Sequence, residues 1–175
     1  VMSMACGCGV QEIARRFNHF YGPVFPEPQA KLTETPRLLG IDRRKMSKSY
    51  NNSVFLSDSL EEVRRKLSQM VTDPQRARRH DPGDPEVCVL FPFHKIYSPP
   101  ETISEINREC RKAGIGCVDC KKRLIEKVIE ALEPVRAKRE YLSRNTDEVR
   151  QILEAGNRKS RAFAERTLAG VRELI

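Results

Sequence analysis

Apolar side chains recur at helical spacing through most of the chain, and the places where that rhythm stops mark the connections. Ile13, Phe17 and Phe20 predict one stripe of a short helix over residues 11–20. Gly22 and the prolines at 23, 26 and 28 then forbid regular structure. Leu38 and Leu39 read as the apolar end of a short buried segment, and Gly40 opens a polar loop. Ser57 and Asp58 suit the start of a helix over 60–70, Asp58 and Glu61 having the spacing of a capping box, with Pro74 beyond as a stop.

Pro82, Gly83 and Pro85 predict a tight turn, with Asp84 and Pro85 as cap and first position of the next helix. Ile103, Ile106 and Cys110 line one face of a helix over 101–112, and Gly114 supplies its stop. The longest periodic stretch is 118–144, where Leu124, Val128, Leu132, Val135 and Leu142 face one way and basic residues the other; Pro134 should bend it. Thr146 or Asp147 caps a further helix to 155, and Gly156-Asn157 predicts a break before a last helix to 174. The fold class that follows is mainly α-helical.

Charge adds a partner class. The 32 Lys and Arg residues outnumber 24 Asp and Glu, which is the footprint of a protein that meets a polyanion. Arg76, Arg78, Arg79 and His80 form one basic patch, and Lys121, Lys122 and Arg123 another. No run of about 18 apolar residues occurs, so no helix is predicted to span a membrane, and residues 1–10 lack the pattern of an export signal. A cytoplasmic protein is the expectation. His80 and His94 have no acidic or cysteine partner at ligand spacing in the sequence and read as ordinary polar residues.

Candidate chemistry sits at two places. The first is Arg43-Arg44-Lys45-Met46-Ser47-Lys48-Ser49-Tyr50-Asn51-Asn52, a polar loop whose lysines can set mobile charges beside phosphoryl oxygens while Ser47, Ser49 and backbone amides donate hydrogen bonds. The second is a cysteine series. Cys117 and Cys120 form a C-x-x-C pair, preceded by Cys88 and Cys110, with Gly114 and Gly116 freeing the backbone between. Four thiolates suit tetrahedral zinc or a cubane iron-sulfur cluster, zinc being the commoner ion at such spacing; the same cysteines could also pack as separate small apolar side chains. Cys6 and Cys8 stand outside the series.

The order of letters in the loop narrows the choice. Lys45-Met46-Ser47-Lys48-Ser49 is identical to the second signature motif of the class I aminoacyl-tRNA synthetases. With Phe25-Pro26-Glu27-Pro28 and Pro36-Arg37-Leu38-Leu39-Gly40 before it, and Met70-Val71-Thr72-Asp73-Pro74 and Asp81-Pro82-Gly83-Asp84-Pro85-Glu86 after it, the chain resembles the bacterial tryptophanyl-tRNA synthetases more than the tyrosyl branch. The resemblance covers residue 12 to the end and implies a carboxyl-terminal half: an unmatched leader at 1–10, the close of a Rossmann-type α/β nucleotide-binding domain at 11–57, a helical anticodon-binding domain at 58–145, and carboxyl-terminal helices at 146–175.

It implies further that the parent protein, a homodimer, joins L-tryptophan to tRNA(Trp) with ATP and Mg2+ through an aminoacyl-adenylate. In that scheme Lys45 and Lys48 are the catalytic cations; Leu38, Lys45, Met46, Ser47, Lys48 and Ser49 meet ATP; and Arg76, Arg78, Arg79, Lys121, Lys122 and Arg123 meet the tRNA. A subset of this family carries a [4Fe-4S] cluster on a similar cysteine series, which ranks iron-sulfur ahead of zinc for Cys88, Cys110, Cys117 and Cys120. With the upstream half of the active site outside this sequence, the chain alone is expected to be inactive. The rival reading is a non-enzymatic, metal-stabilised RNA-binding module.

Overall fold

The computed structural model describes residues 4–33, 35 and 37–175, with side chains described from residue 9 onward. Pro36 of the lead-in motif, residues 1–3 of the leader, and the side chains of Cys6 and Cys8 lie outside the described residues. The backbone is mainly helical. The helices are α1 Met4–Tyr21, α2 Leu60–Ser68, α3 Leu90–Tyr97, α4 Pro100–Arg111, α5 Cys117–Arg144 and α6 Thr146–Leu174, with a single 3-10 turn at Lys48–Tyr50. Extended pairing among the described residues is confined to an isolated antiparallel bridge between Leu39 and Lys45.

Two compact units divide the chain, one built from Glu34–Glu140 and the other from Val1–Thr33 with Tyr141–Ile175. In the first, α2 brings Val63 and Leu67, α3 brings Leu90 and Phe93, and α5 brings Leu124, Ile125, Val128 and Leu132 into one buried cluster with Met70 and Val89. Each such aliphatic or aromatic side chain contributes about 1.5–3 kcal/mol of transfer free energy on burial, so this cluster is what fixes the three helices. A smaller cluster of Phe91, Ile106 and Ile115 packs α4 beside it, and Cys88 and Cys120 touch both clusters.

The second unit is held more by polar ties. The Asn18 amide donates to the Phe25 carbonyl at 2.7 Å, and its oxygen accepts from the backbone of Val24 and Phe25, closing the chain back on α1 after Gly22, which has φ 105°. Phe17 meets the rings of Tyr21 and Phe25, each at 4.9 Å between centroids. Ala14 is the buried position among the described side chains of α1, whereas Ile13 is 68% and Phe20 70% exposed. The predicted Ile13-Phe17-Phe20 stripe therefore survives only at Phe17. Periodicity names a face, and only the packing partner decides which residues of that face are covered.

Other boundaries shift for local reasons. The capping oxygen of α2 belongs to Ser59, which accepts from the Glu62 amide, because Asp58 is engaged elsewhere. Helix α3 starts at Leu90 instead of following Pro85; Asp84 accepts from the Glu86 amide and makes a turn there. After α4 the left-handed residue is Ala113, with φ 58°, one position before the expected Gly114 stop. Helix α5 runs through Pro134, and Val135 is 43% exposed instead of extending the buried stripe. Helix α6 runs unbroken through Gly156. A lone glycine costs a helix about 1 kcal/mol relative to alanine, too little to end one this long.

Candidate functional site

The signature loop is a small polar structure with a rigid base. Gly40 and Arg44 pair through the Gly40 amide at 2.8 Å, Arg43 turns the chain with a left-handed φ of 68°, and Asp42 accepts the Arg44 amide at 3.0 Å. The residue that organises the base is Asn52, 2% exposed. Its side-chain oxygen accepts the Ser47 amide at 2.8 Å, and its amide nitrogen donates to Asp42 at 2.8 Å and to the Lys45 carbonyl at 3.1 Å. Its own carbonyl accepts the Ile41 amide at 3.0 Å. One buried amide thus clasps both limbs of the loop with every polar atom used. A Cβ at Gly40 would collide with that amide, so the glycine is required for close approach.

The Asn52 bond, helped by Arg44, holds the Asp42 carboxyl at about 2, below the ordinary 3.8. Above this base, Lys45, Lys48 and Ser49 are exposed, while the Ser47 and Ser49 hydroxyls bond to each other at 2.7 Å. Arg44 lies over the Tyr50 ring at 4.8 Å. Leu38 and Met46 are half-buried against the larger apolar cluster and anchor the loop to it. What projects into solvent is a pair of ammonium groups on a fixed polar base, an arrangement able to take up phosphate oxygens.

The exit of the loop is pinned by a buried ion pair. Lys66 of α2, 5% exposed along its side chain, donates to Asp58 at 2.7 Å and to the Ser53 carbonyl at 3.1 Å, and its Nζ lies 4.8 Å from the Phe55 ring centroid. Asp58 also accepts the Phe55 amide at 2.8 Å. Sequence reasoning gave Asp58 a capping role and missed Lys66 and Asn52. Asn52 was visible only as a loop asparagine, and Lys66 only as one of many helix cations.

Cys88, at the approach to α3, Cys110, at the end of α4, and Cys120, in the first turn of α5, lie against the apolar clusters, and Cys117 shares the Arg76 guanidinium with Cys110. Burial pushes the Cys120 thiol up to about 12, and Cys88, Cys110 and Cys117 add to the effect. Burial likewise raises Cys88 and Cys110; at Cys110 the Arg76 guanidinium opposes it. All four are free thiols. Gly83 leaves the space beside Cys110: a Cβ there would stand 2.7 Å from the Cys110 sulfur. The Gly83 amide donates to the Cys110 carbonyl, and buried Asp73 accepts the Asp84 amide at 2.8 Å, which holds the Asp-Pro-Gly-Asp-Pro turn against the end of α4. Among the described residues, no group of three or more His, Cys, Asp or Glu side chains is placed to hold a metal ion.

His94 departs from the sequence expectation. It is fully buried, its Nε2 lies 3.4 Å from the Cys120 sulfur and its Nδ1 bonds the Ser98 hydroxyl at 2.8 Å. Burial lowers it to about 4, so it is neutral near pH 7. That cysteine partner is distant in sequence, so spacing could not reveal it. The exposed His80 remains ordinary.

The six basic residues separate by environment. Arg78, Arg79, Lys122 and Arg123 are exposed, Lys122 lying 4.0 Å from Asp119. Lys121 donates to the Ser68 carbonyl at 2.7 Å and ties α5 to the end of α2, Arg123 pairs with Glu105 at 2.9 Å, and Arg76 is turned in to the cysteines. No helix among the described residues is long and apolar enough to cross a membrane.

The tryptophan–tRNA ligase of Aquifex aeolicus is 47% identical over 94% of this chain, and that of Deinococcus radiodurans 42% identical over 94%. The chain spans 42% and 51% of those two relatives, about half of their length. Among solved structures, the tryptophanyl-tRNA synthetase of Campylobacter jejuni complexed with ADP and tryptophan aligns over 93% of this chain and 51% of its own, with TM-score 0.71 and 29% identity. The profile of the class I tRNA synthetases for tryptophan and tyrosine matches residues 10–133, and the chain belongs to that family.

Proposed function

We propose that this chain is the portion of a tryptophan–tRNA ligase that closes over the phosphates of ATP and carries the tRNA-reading helices. The observation that carries the reading is the Lys45-Met46-Ser47-Lys48-Ser49 loop, with two exposed ammonium groups on a base clasped by buried Asn52. In the first step the tryptophan carboxylate attacks the α-phosphorus of ATP, the bond to the β-phosphate oxygen breaks, and pyrophosphate departs with the electron pair. Charge grows on that leaving group, and Lys45 and Lys48 are the groups on this chain able to offset it. Mg2+ brought with ATP neutralises phosphate oxygens in the same way. With Leu38 and Met46 half-buried against the core, the loop backbone is the part available to the purine. In the second step a hydroxyl of the terminal ribose of the tRNA attacks the activated acyl carbon, the acyl–phosphate bond breaks, and AMP departs.

Arg78, Arg79, Lys122 and Arg123 are the exposed cations of the two basic runs, placed to meet RNA phosphates. The four cysteines supply the soft donor set of a [4Fe-4S] cluster, with Gly83 leaving room at Cys110. What supports a bound metal group is the order of the four cysteines and the family resemblance; the described residues form no three-ligand group placed to hold one.

The test is exchange of labelled pyrophosphate into ATP by the complete ligase that carries this chain. Exchange that depends on tryptophan is expected. Exchange driven by tyrosine would overturn the substrate, and RNA binding with no exchange would leave an RNA-binding module.

A further inference from the structure

The exposed cations come from two places far apart in the sequence. Arg78 and Arg79 sit in the irregular segment between α2 and α3, whereas Lys122 and Arg123 ride on α5. One side chain links the two segments. Arg76 Nη2 donates to the Arg79 carbonyl at 2.9 Å and to the Ile115 carbonyl at 2.7 Å. Ile115 belongs to the turn that starts α5, where the Gly116 carbonyl accepts the Cys120 amide. A single guanidinium therefore straps the 76–79 segment to the beginning of the helix that carries the second pair of cations.

The rest of the segment is fixed around that strap. Arg76 Nη1 lies 3.8 Å from the Cys117 sulfur and 3.9 Å from the Cys110 sulfur, so this edge of the fork faces protein. The Asp81 carboxylate accepts the Arg78 amide at 2.6 Å, and the Asp81 amide donates to the Arg78 carbonyl at 3.2 Å, which closes the turn bearing Arg78 and Arg79 at its far end. A Cβ on Gly116 would stand 3.8 Å from Arg79 Nε, so the Arg79 side chain lies beside the start of α5. Hydrogen bonds from a charged donor are the stronger kind, and a planar fork gives up less freedom in making them than a lysine stem does.

We propose that Arg76 is a positioning residue that joins the two basic runs into one surface for RNA phosphates, without touching RNA itself. The proposal rests on the reading that Arg78, Arg79, Lys122 and Arg123 meet RNA, and it needs no metal group at the cysteines. Phosphate contacts set the register of a protein on its nucleic acid, so cations remote in sequence act together only where the fold fixes the distance between them.

The experiment measures affinity of the complete ligase for tRNA(Trp) over a salt series, for R76Q, R79Q, K122Q and the double variants R76Q/R79Q and R76Q/K122Q. R76Q is expected to weaken binding about tenfold and to make the salt slope shallower by about 2, the loss of the Arg78 and Arg79 contacts, where removing one phosphate-contacting cation gives about 1. R79Q should then cost nothing further in the R76Q background, while K122Q should cost the same in both backgrounds, because α5 keeps its own cations. Loss of the K122Q effect in R76Q would mean general loosening of the region and would overturn the positioning role. A slope change of about 1 with the full R79Q cost retained would make Arg76 itself a phosphate contact and would also overturn it, as would wild-type affinity in R76Q. Should R76Q fail to fold, R76K, which keeps the charge without the fork, decides by the same cycle and is expected to show a smaller loss of the same kind. If R79Q and K122Q leave affinity unchanged in the otherwise wild-type ligase, the RNA reading itself falls and this assignment with it, a result distinct from the others.

Discussion

The signature loop and the cysteine seam are two sites built by opposite means. In the loop, the hydrogen-bonding groups are near neighbours in sequence, and Asn52 reaches back to Ile41, Asp42, Lys45 and Ser47. At the seam, Cys88, Cys110 and Cys120 lie against apolar clusters that Leu90, Phe93, Leu124 and Val128 build between α3 and α5 and that Ile106 extends to α4. The hydrogen bonds of the loop's base are local, although Leu38, Met46 and the Lys66–Asp58 pair tie that base to the helices. The seam should fail whenever the helices part.

The comparison breaks most sharply at Lys66. Lys66→Met removes the partner of a carboxylate that is nearly as buried as the lysine, and leaving Asp58 unpaired costs about 3–5 kcal/mol. Urea unfolding of the chain should show that loss. Replacing both partners, as Lys66→Met with Asp58→Leu, should recover most of it; a double variant as weak as the single would mean the pair contributes through something other than charge.

Next in size is Lys48→Ala in the complete ligase. Adenylate formation should slow by about 10²–10³, the loss associated with one preorganised charge-stabilising donor, with tryptophan affinity little changed. Unchanged kcat would remove Lys48 from the chemistry, and a change confined to KM would make it a binding group.

Asn52→Ala tests the base instead of the cations. It removes three side-chain hydrogen bonds from a buried position and leaves the Ser47 amide unpartnered, a cost of about 1–3 kcal/mol. Hydrogen exchange at Ser47 should accelerate while amides in α5 keep their protection. Equal acceleration in both would show that loop and helices open as one unit.

The smallest effect is expected from Cys117→Ser at the seam. Metal content should fall, exchange protection should drop in the first turn of α5 and the end of α4, and tRNA affinity in the complete ligase should weaken about tenfold, or about 1.4 kcal/mol. Adenylate formation should be spared. A matching loss of adenylate formation would contradict the separation of the two sites.

The sequence by itself determined what depends on short stretches. Helices α4 and α5 follow from apolar spacing over neighbouring turns, and the loop follows from the order Lys45-Met46-Ser47-Lys48-Ser49, since a polar loop carries its chemistry in its own letters. Tertiary structure decided the rest, because burial and charge compensation are set by residues far apart in the chain. Only packing could leave Ile13 and Phe20 exposed beside buried Ala14, or bring His94 to Cys120. Only the meeting of α4 and α5 with the Arg76 segment could turn one arginine of a basic run towards sulfur while Arg78 and Arg79 stayed in water. A charge pattern shows that a cation is present; the fold determines which groups surround it and so what it does.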